Sequence, residues 1–323
     1  MRSKEFKFAI SDWIPYTDAE ACERARNIKR QDIEKTQKGS HPDFKIKVLD
    51  DNEFSNHRLF KWLKMIMDAS NENRNIVFIW PQPHIFYRKL AHALNTLKID
   101  CRKLYIFSMD EYADEDGNTP SPDYPQSLYR SLLYNFYYRL DKDIRPPIDH
   151  MQGPTKKNIN DYGKMIEDVG GADLIECGVG WDCHIAMVYG SSKKYCSEFY
   201  AETIEEWQTL GPRIVKISPL CIPQTVLDPD YGASGDWSLC PPKGATVGPA
   251  QFVNAKNIEN WNMFSIAGTN VSWQRFSVRL GLHGPIDPIM CPATLFQMLP
   301  TKSYLTENIA ADIKHEFDNT WWK

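Results

Sequence analysis

The chain has 323 residues, with 38 lysines and arginines against 42 aspartates and glutamates, a formal net charge of −4. With 42% hydrophobic, 12% aromatic and 25% charged residues it can bury a core, which excludes a disordered, collagenous or coiled-coil protein. A charge this close to balance excludes nucleic acid or an anionic membrane as the principal partner and points to a small molecule.

The amino terminus has no apolar run of signal-peptide length, and no stretch approaches the roughly 20 apolar residues that span a bilayer. A soluble, cytoplasmic protein is expected. Eight cysteines are scattered without Cys-x-x-Cys pairs or histidines at zinc-site spacing, so reduced thiols and no metal are expected. Thr17-Asp18-Ala19-Glu20 has the form of a capping box ahead of a polar helix to about Thr36. Residues 1–43 are taken as an N-terminal extension to a single domain over 44–323.

Lys45–Leu49 alternates as a short strand, Asn56–Ala69 is an amphipathic helix, and Ile76–Trp80 is a continuous apolar strand followed by a helix over His84–Leu97. A second apolar strand over Leu104–Phe107 ends in Ser-Met-Asp-Glu-Tyr, and a third over Asp173–Cys177 ends in Gly-Val-Gly-Trp-Asp-Cys-His. Apolar strands alternating with helices predict an α/β fold: a doubly wound, mostly parallel sheet with helices on both faces. Residues 190–243, rich in Pro, Gly, Trp and Cys, form a predicted insertion near the site, a lid or an oligomer contact. The α/β pattern then resumes, with a helix near Lys256–Asn260, a strand over Asn262–Gly268 and a helix through Leu280.

Ligands bind beyond the carboxyl ends of such strands, where two strands deliver acidic and imidazole groups. Asp110 follows one directly, a position that suits a general base if burial tunes its pKa. Asp182 and His184 lie two residues apart after Gly178-Val179-Gly180 and can act as an acid/base pair if both face one cleft. Taken singly, each is as readily a capping acid or a structural pair.

The motifs gain specificity together: Ser-Met-Asp-Glu-Tyr (108–112), Tyr-Pro-Gln-Ser-Leu-Tyr (124–129) with Asn135-Phe136, Gly-Val-Gly-Trp-Asp-Cys-His-Ile-Ala (178–186), Ala-Thr-Val-Gly (245–248) and Cys-Pro-Ala-Thr-Leu-Phe-Gln (291–297). In this order they resemble the glucosamine-6-phosphate deaminase/isomerase family, related to the 6-phosphogluconolactonases. The resemblance implies an enzyme that opens an aldose amino-sugar phosphate, isomerises it to the ketose and releases ammonia, without a cofactor. It implies that Asp110 shuttles the proton between C2 and C1, that His184 helps open the ring and that Asp182 orients it. Glu111, Gly180, Gln82, His84 and Thr269 are the expected substrate-binding residues. The expected partner is a sugar or sugar phosphate, and a homo-oligomer is a further expectation because family members often assemble.

The departures are specific. Tyr189 stands where the family has the relay glutamate, and Trp181 and Cys183 where it has Asn and Gly. The glycine-rich phosphate turn has become Trp80-Pro81-Gln82-Pro83-His84, and Val271 replaces a phosphate-binding lysine. Phosphate recognition is therefore expected to be altered. A sugar-binding protein without turnover and a lactonase-like hydrolase are the alternatives.

Overall fold

The computed structural model describes residues 8–227, 234–264 and 272–314. Ten strands run β1 (Lys45–Leu49), β2 (Ile76–Trp80), β3 (Leu104–Ser108), β4 (Asp110–Ala113), β5 (Met151–Gln152), β6 (Leu174–Cys177), β7 (Arg213–Lys216), β8 (Lys243–Thr246), β9 (Ile258–Asn262) and β10 (Lys302–Thr306). Seven form a parallel sheet in the order β1-β10-β9-β6-β2-β3-β5, and β4-β8-β7 form a small antiparallel sheet.

The apolar runs of β2 and β3 form interior strands because such a strand must be covered on both faces. Phe78 and Trp80 point into one core with the helices Asp51–Asn71 and Phe86–Leu97, where Trp62, Trp80 and Tyr87 stack. Val77 and Ile79 point the other way, into a core shared with the helices Tyr162–Asp168 and Gln274–His283. The chain moves outward from β2 through β3 to β5, then returns to place β6 on the opposite side of β2. That reversal opens a crevice at the carboxyl ends of β2 and β6. Among the described residues no helix is long and apolar enough to cross a membrane.

Two local expectations are corrected. The first helix is Ala19–Asn27, and its cap is Asp18, whose carboxylate accepts from Ala21 N–H, rather than Thr17. Lys256–Asn260 is not a helix: Ile258–Asn262 is β9, four residues ahead of the predicted strand, whose remaining residues 265–268 lie outside the described residues. Cys22, Ala25 and Ile33 from the first 43 residues are buried in the main core, and residues 190–243 contribute β7.

Candidate active site

Asp110 sits at the seam between the two sheets. Met109 N–H donates to the Trp80 carbonyl and Val247 N–H to the Met109 carbonyl, so the chain leaves the parallel sheet at Met109 and pairs with β8 from Asp110, opposite Thr246. The Asp110 side chain lines a cleft of about 220 Å³. It is buried, and its Oδ1 has no hydrogen-bond partner. Burial, and then the neighbouring Glu111 carboxylate, push its pKa up to about 8. A buried carboxyl oxygen without a partner is costly, and groups so placed, with shifted pKa values, concentrate at functional sites.

The second catalytic candidate stands on the turn after β6. Val179 N–H donates to Asn262 Oδ1 and Gln274 Nε2 donates to the Val179 carbonyl, while Gly180 N–H donates to the His184 carbonyl. His184 Nδ1 lies 2.5 Å from Asp182 Oδ1, and Ser218 Oγ donates to the other carboxylate oxygen at 3.0 Å. Burial opposes ionisation of Asp182, but the imidazole and the Ser218 hydroxyl outweigh it and hold the carboxyl below its usual value. With Nδ1 engaged, Nε2 is the ring nitrogen left for a ligand in the cleft, which His184 lines.

Gly180 is the one position here that cannot carry a side chain, because a Cβ built on it overlaps the His184 ring. Gly180→Ala is expected to displace the imidazole, destabilise the chain by about 1–3 kcal/mol and remove the low-field proton NMR signal of the Asp182–His184 bond. A persisting signal would show that the ring tolerates the methyl. Cys183, where the family pattern has glycine, adopts φ +65°, the left-handed region that glycine enters without strain.

The structure brings Asp110, Asp182, His184, Gly180 and Gln82 to this crevice. Gln82 lines the cleft, and both ends of its amide are buried without a partner. Glu111 and His84 are set apart from it. The Glu111 carboxylate accepts from Tyr112, Leu128 and Tyr129 N–H and from Ser127 Oγ, so it caps the helix Leu128–Asn135. The His84 ring contacts Arg58 Nη1 at 2.7 Å through Nε2 and accepts from Phe86 N–H through Nδ1. Burial and then Arg58 drive its pKa well down, so it is neutral. Thr269 lies outside the described residues.

Sequence reasoning flags Tyr189 as a departure from the family pattern and misses three further contributors. Tyr189 packs edge-on against His184 with ring centroids 5.0 Å apart, and burial raises the pKa of its hydroxyl well above the ordinary value. Ser218 and Gln224 enter from the 190–243 segment, and Trp273 enters from the residue before the helix Gln274–His283. No sequence motif marks Ser218, Gln224 or Trp273, although the 190–243 segment is expected to lie near the site.

No family model matches the chain. A protein of Caenorhabditis elegans named glucosamine-6-phosphate deaminase is 26% identical over 255 residues, covering 76% of this chain and 82% of the relative. One of Clostridium tetani with the same name is 30% identical over 104 residues, which span only 41% of its own length. Among solved structures, a monomeric glucosamine-6-phosphate deaminase superposes with a TM-score of 0.63 at 16% identity, over 82% of this chain and 98% of that one. A 6-phosphogluconolactonase from Leishmania guyanensis gives 0.56 at 12% identity, over 84% and 98%. At such identities the structural likeness speaks for the fold alone, and the sequence matches speak for descent. The chain is thus similar in sequence to glucosamine-6-phosphate deaminases and has the fold seen in a glucosamine-6-phosphate deaminase and in 6-phosphogluconolactonases.

Proposed function

We propose that the protein is an aldose–ketose isomerase/deaminase that acts on an amino sugar without gripping a phosphate. The observation that carries this reading is the orphaned, buried Asp110 carboxyl in the same cleft as an imidazole anchored by Asp182. A carboxylate removes the C2 proton only once the C1 carbonyl is unmasked, so ring opening and enolisation require two groups. In the proposed sequence His184 Nε2 relays a proton between the anomeric hydroxyl and the ring oxygen, opening the ring. Ionised Asp110 then takes the proton from C2 and returns it to C1. Water adds to the resulting C2 imine and ammonia leaves, giving the ketose. Lactone hydrolysis would use the histidine alone and leave Asp110 without a task.

The phosphate part of the reading rests on charge. The described cleft lining contains no lysine or arginine, and the stretches 228–233 and 265–271 contain none in sequence. Pro81 and Pro83 remove backbone donors from the loop after β2. Arg88 is engaged with Asn135, Lys193 with Asp12, and Arg213 with the Gly211 and Glu198 carbonyls.

The test is incubation with glucosamine and with glucosamine 6-phosphate in deuterated water, following C2 exchange and ammonia by NMR. Exchange is expected with both, at kcat/KM values within about threefold, since each charge-assisted hydrogen bond to a phosphate is worth about 1.5–3 kcal/mol and none is supplied. A hundredfold preference for the ester would overturn the phosphate part. Binding without exchange would make the protein a non-catalytic sugar binder.

A further inference from the structure

The cleft has a wall that the proposed chemistry does not use. Phe264 and Trp273 line it, with ring centroids 4.8 Å apart. Trp181 stacks on Trp273 at 5.7 Å with 12° between the planes, and is 38% exposed. The wall therefore runs from the cleft to the surface. It is tied to the far side of the opening, since Trp181 N–H donates at 2.8 Å to Oε1 of Gln224, itself a lining residue. Large aromatic side chains are ordinarily buried against one another, and Trp181 is held by its backbone while its ring stays partly in water.

Beside this wall stand hydrogen-bonding groups that the protein leaves unmatched. The Trp273 indole N–H is buried and donates to nothing, and both amide atoms of Gln82 are without partners. A buried unmatched group is costly, and the cost is removed when a ligand supplies the partner. The set holds donors and an acceptor, all uncharged, next to flat apolar faces. A phosphate would find no cation, and a purely apolar ligand would leave every one of these groups unmatched. A pyranose ring satisfies the whole set: it presents a flat face of C–H groups to an aromatic ring and a rim of hydroxyls that both donate and accept.

We infer that Phe264, Trp273 and Trp181 form a stacking wall for a second sugar ring, so that the ligand is the reducing end of an oligosaccharide. This rests on the amino-sugar reading of the Asp110 and His184 side of the cleft, which takes the terminal ring with its free C1. The second ring is uncharged and lies outward on the tryptophans.

The experiment measures the affinity of the full chain for glucosamine and for its β-1,4- and β-1,6-linked disaccharides, by calorimetry and by tryptophan fluorescence. At least one disaccharide is expected to bind tenfold or more tightly than glucosamine, with a fluorescence change that glucosamine does not produce. In Trp181→Ala, a substitution at a partly exposed side chain, the disaccharide-to-monosaccharide ratio should fall to threefold or less. Trp273→Phe keeps a ring but loses the N–H and should lower the ratio several-fold. Equal affinity for the single and double sugars, or a ratio unchanged in both variants, overturns the wall while leaving the amino-sugar reading standing. A tryptophan-dependent disaccharide preference without C2 exchange keeps the wall and removes the isomerase/deaminase reading. Failure of every sugar to bind removes both.

Discussion

Asp110→Asn is expected to lower C2 proton exchange by about a thousandfold, within the range a positioned general base contributes, while changing sugar affinity by no more than about threefold. The amide has the shape of the carboxyl and lacks its basicity, so the cleft keeps its form. The wild-type pH profile should carry the same signature. With its pKa pushed up to about 8 by burial and Glu111, only about a tenth of Asp110 is ionised at pH 7. Exchange by the free enzyme should therefore rise through neutrality and level off above about pH 8. A flat profile, or loss of affinity with unchanged exchange, would remove Asp110 from the role of base.

The same shift has a consequence for stability. In the unfolded chain Asp110 titrates near the ordinary aspartate value, whereas in the folded chain it holds its proton up to about pH 8. Between those values the folded state binds more protons than the unfolded one, so this group's contribution is fully present below about pH 4 and is lost as pH rises through 8. Asp110→Asn, which cannot ionise, should then be more stable than the wild type at pH 8, with the gap closing toward pH 4. Paired thermal melts at the two pH values measure it.

The parts of the molecule legible in sequence are those whose partners are close in the chain or whose burial is uniform. Ile76–Trp80 announces itself because both faces are covered, and Asp182 and His184 are two residues apart on one turn. β9 does not, because Glu259, Asn260 and Asn262 are fully buried polar residues in a strand. Their partners come from elsewhere: Trp62 for Glu259, the Cys177 carbonyl for Asn260 and Val179 N–H for Asn262. No alternation of apolar and polar residues survives there to be read. Glu111 and His84 look like ligand-facing groups for the same reason, since the helix that Glu111 caps and the arginine that His84 meets are 17 and 26 residues away. Ser218 reaches Asp182 across 36 residues of a segment with no periodicity.

Arg58 holds the loop after β2 from within the core, and removing it is expected to have the largest effect on stability. Its side chain is 1% exposed, with the guanidinium paired to Glu176, 2.7 Å from His84 Nε2, and 4.5 and 4.3 Å from the Trp62 and Phe86 ring centres. It thus binds the loop after β2 from below, anchoring the residues that carry Gln82 into the cleft. Glu176 is pushed up to about 7, because burial and Glu259 outweigh the pull of Arg58. Arg58→Ala would strand that carboxyl and open a void among the aromatics. The expected loss is about 3–5 kcal/mol in urea unfolding, as for other buried pairs broken on one side. Arg58→Met with Glu176→Gln fills the space and leaves no buried charge, so it should recover most of that stability. Sugar affinity should nevertheless stay weakened in the double variant, because His84 has lost the group that fixes its loop. Full recovery of both properties would show that the network serves packing alone. Stability without affinity would establish that the Arg58 charge positions the loop that carries Gln82.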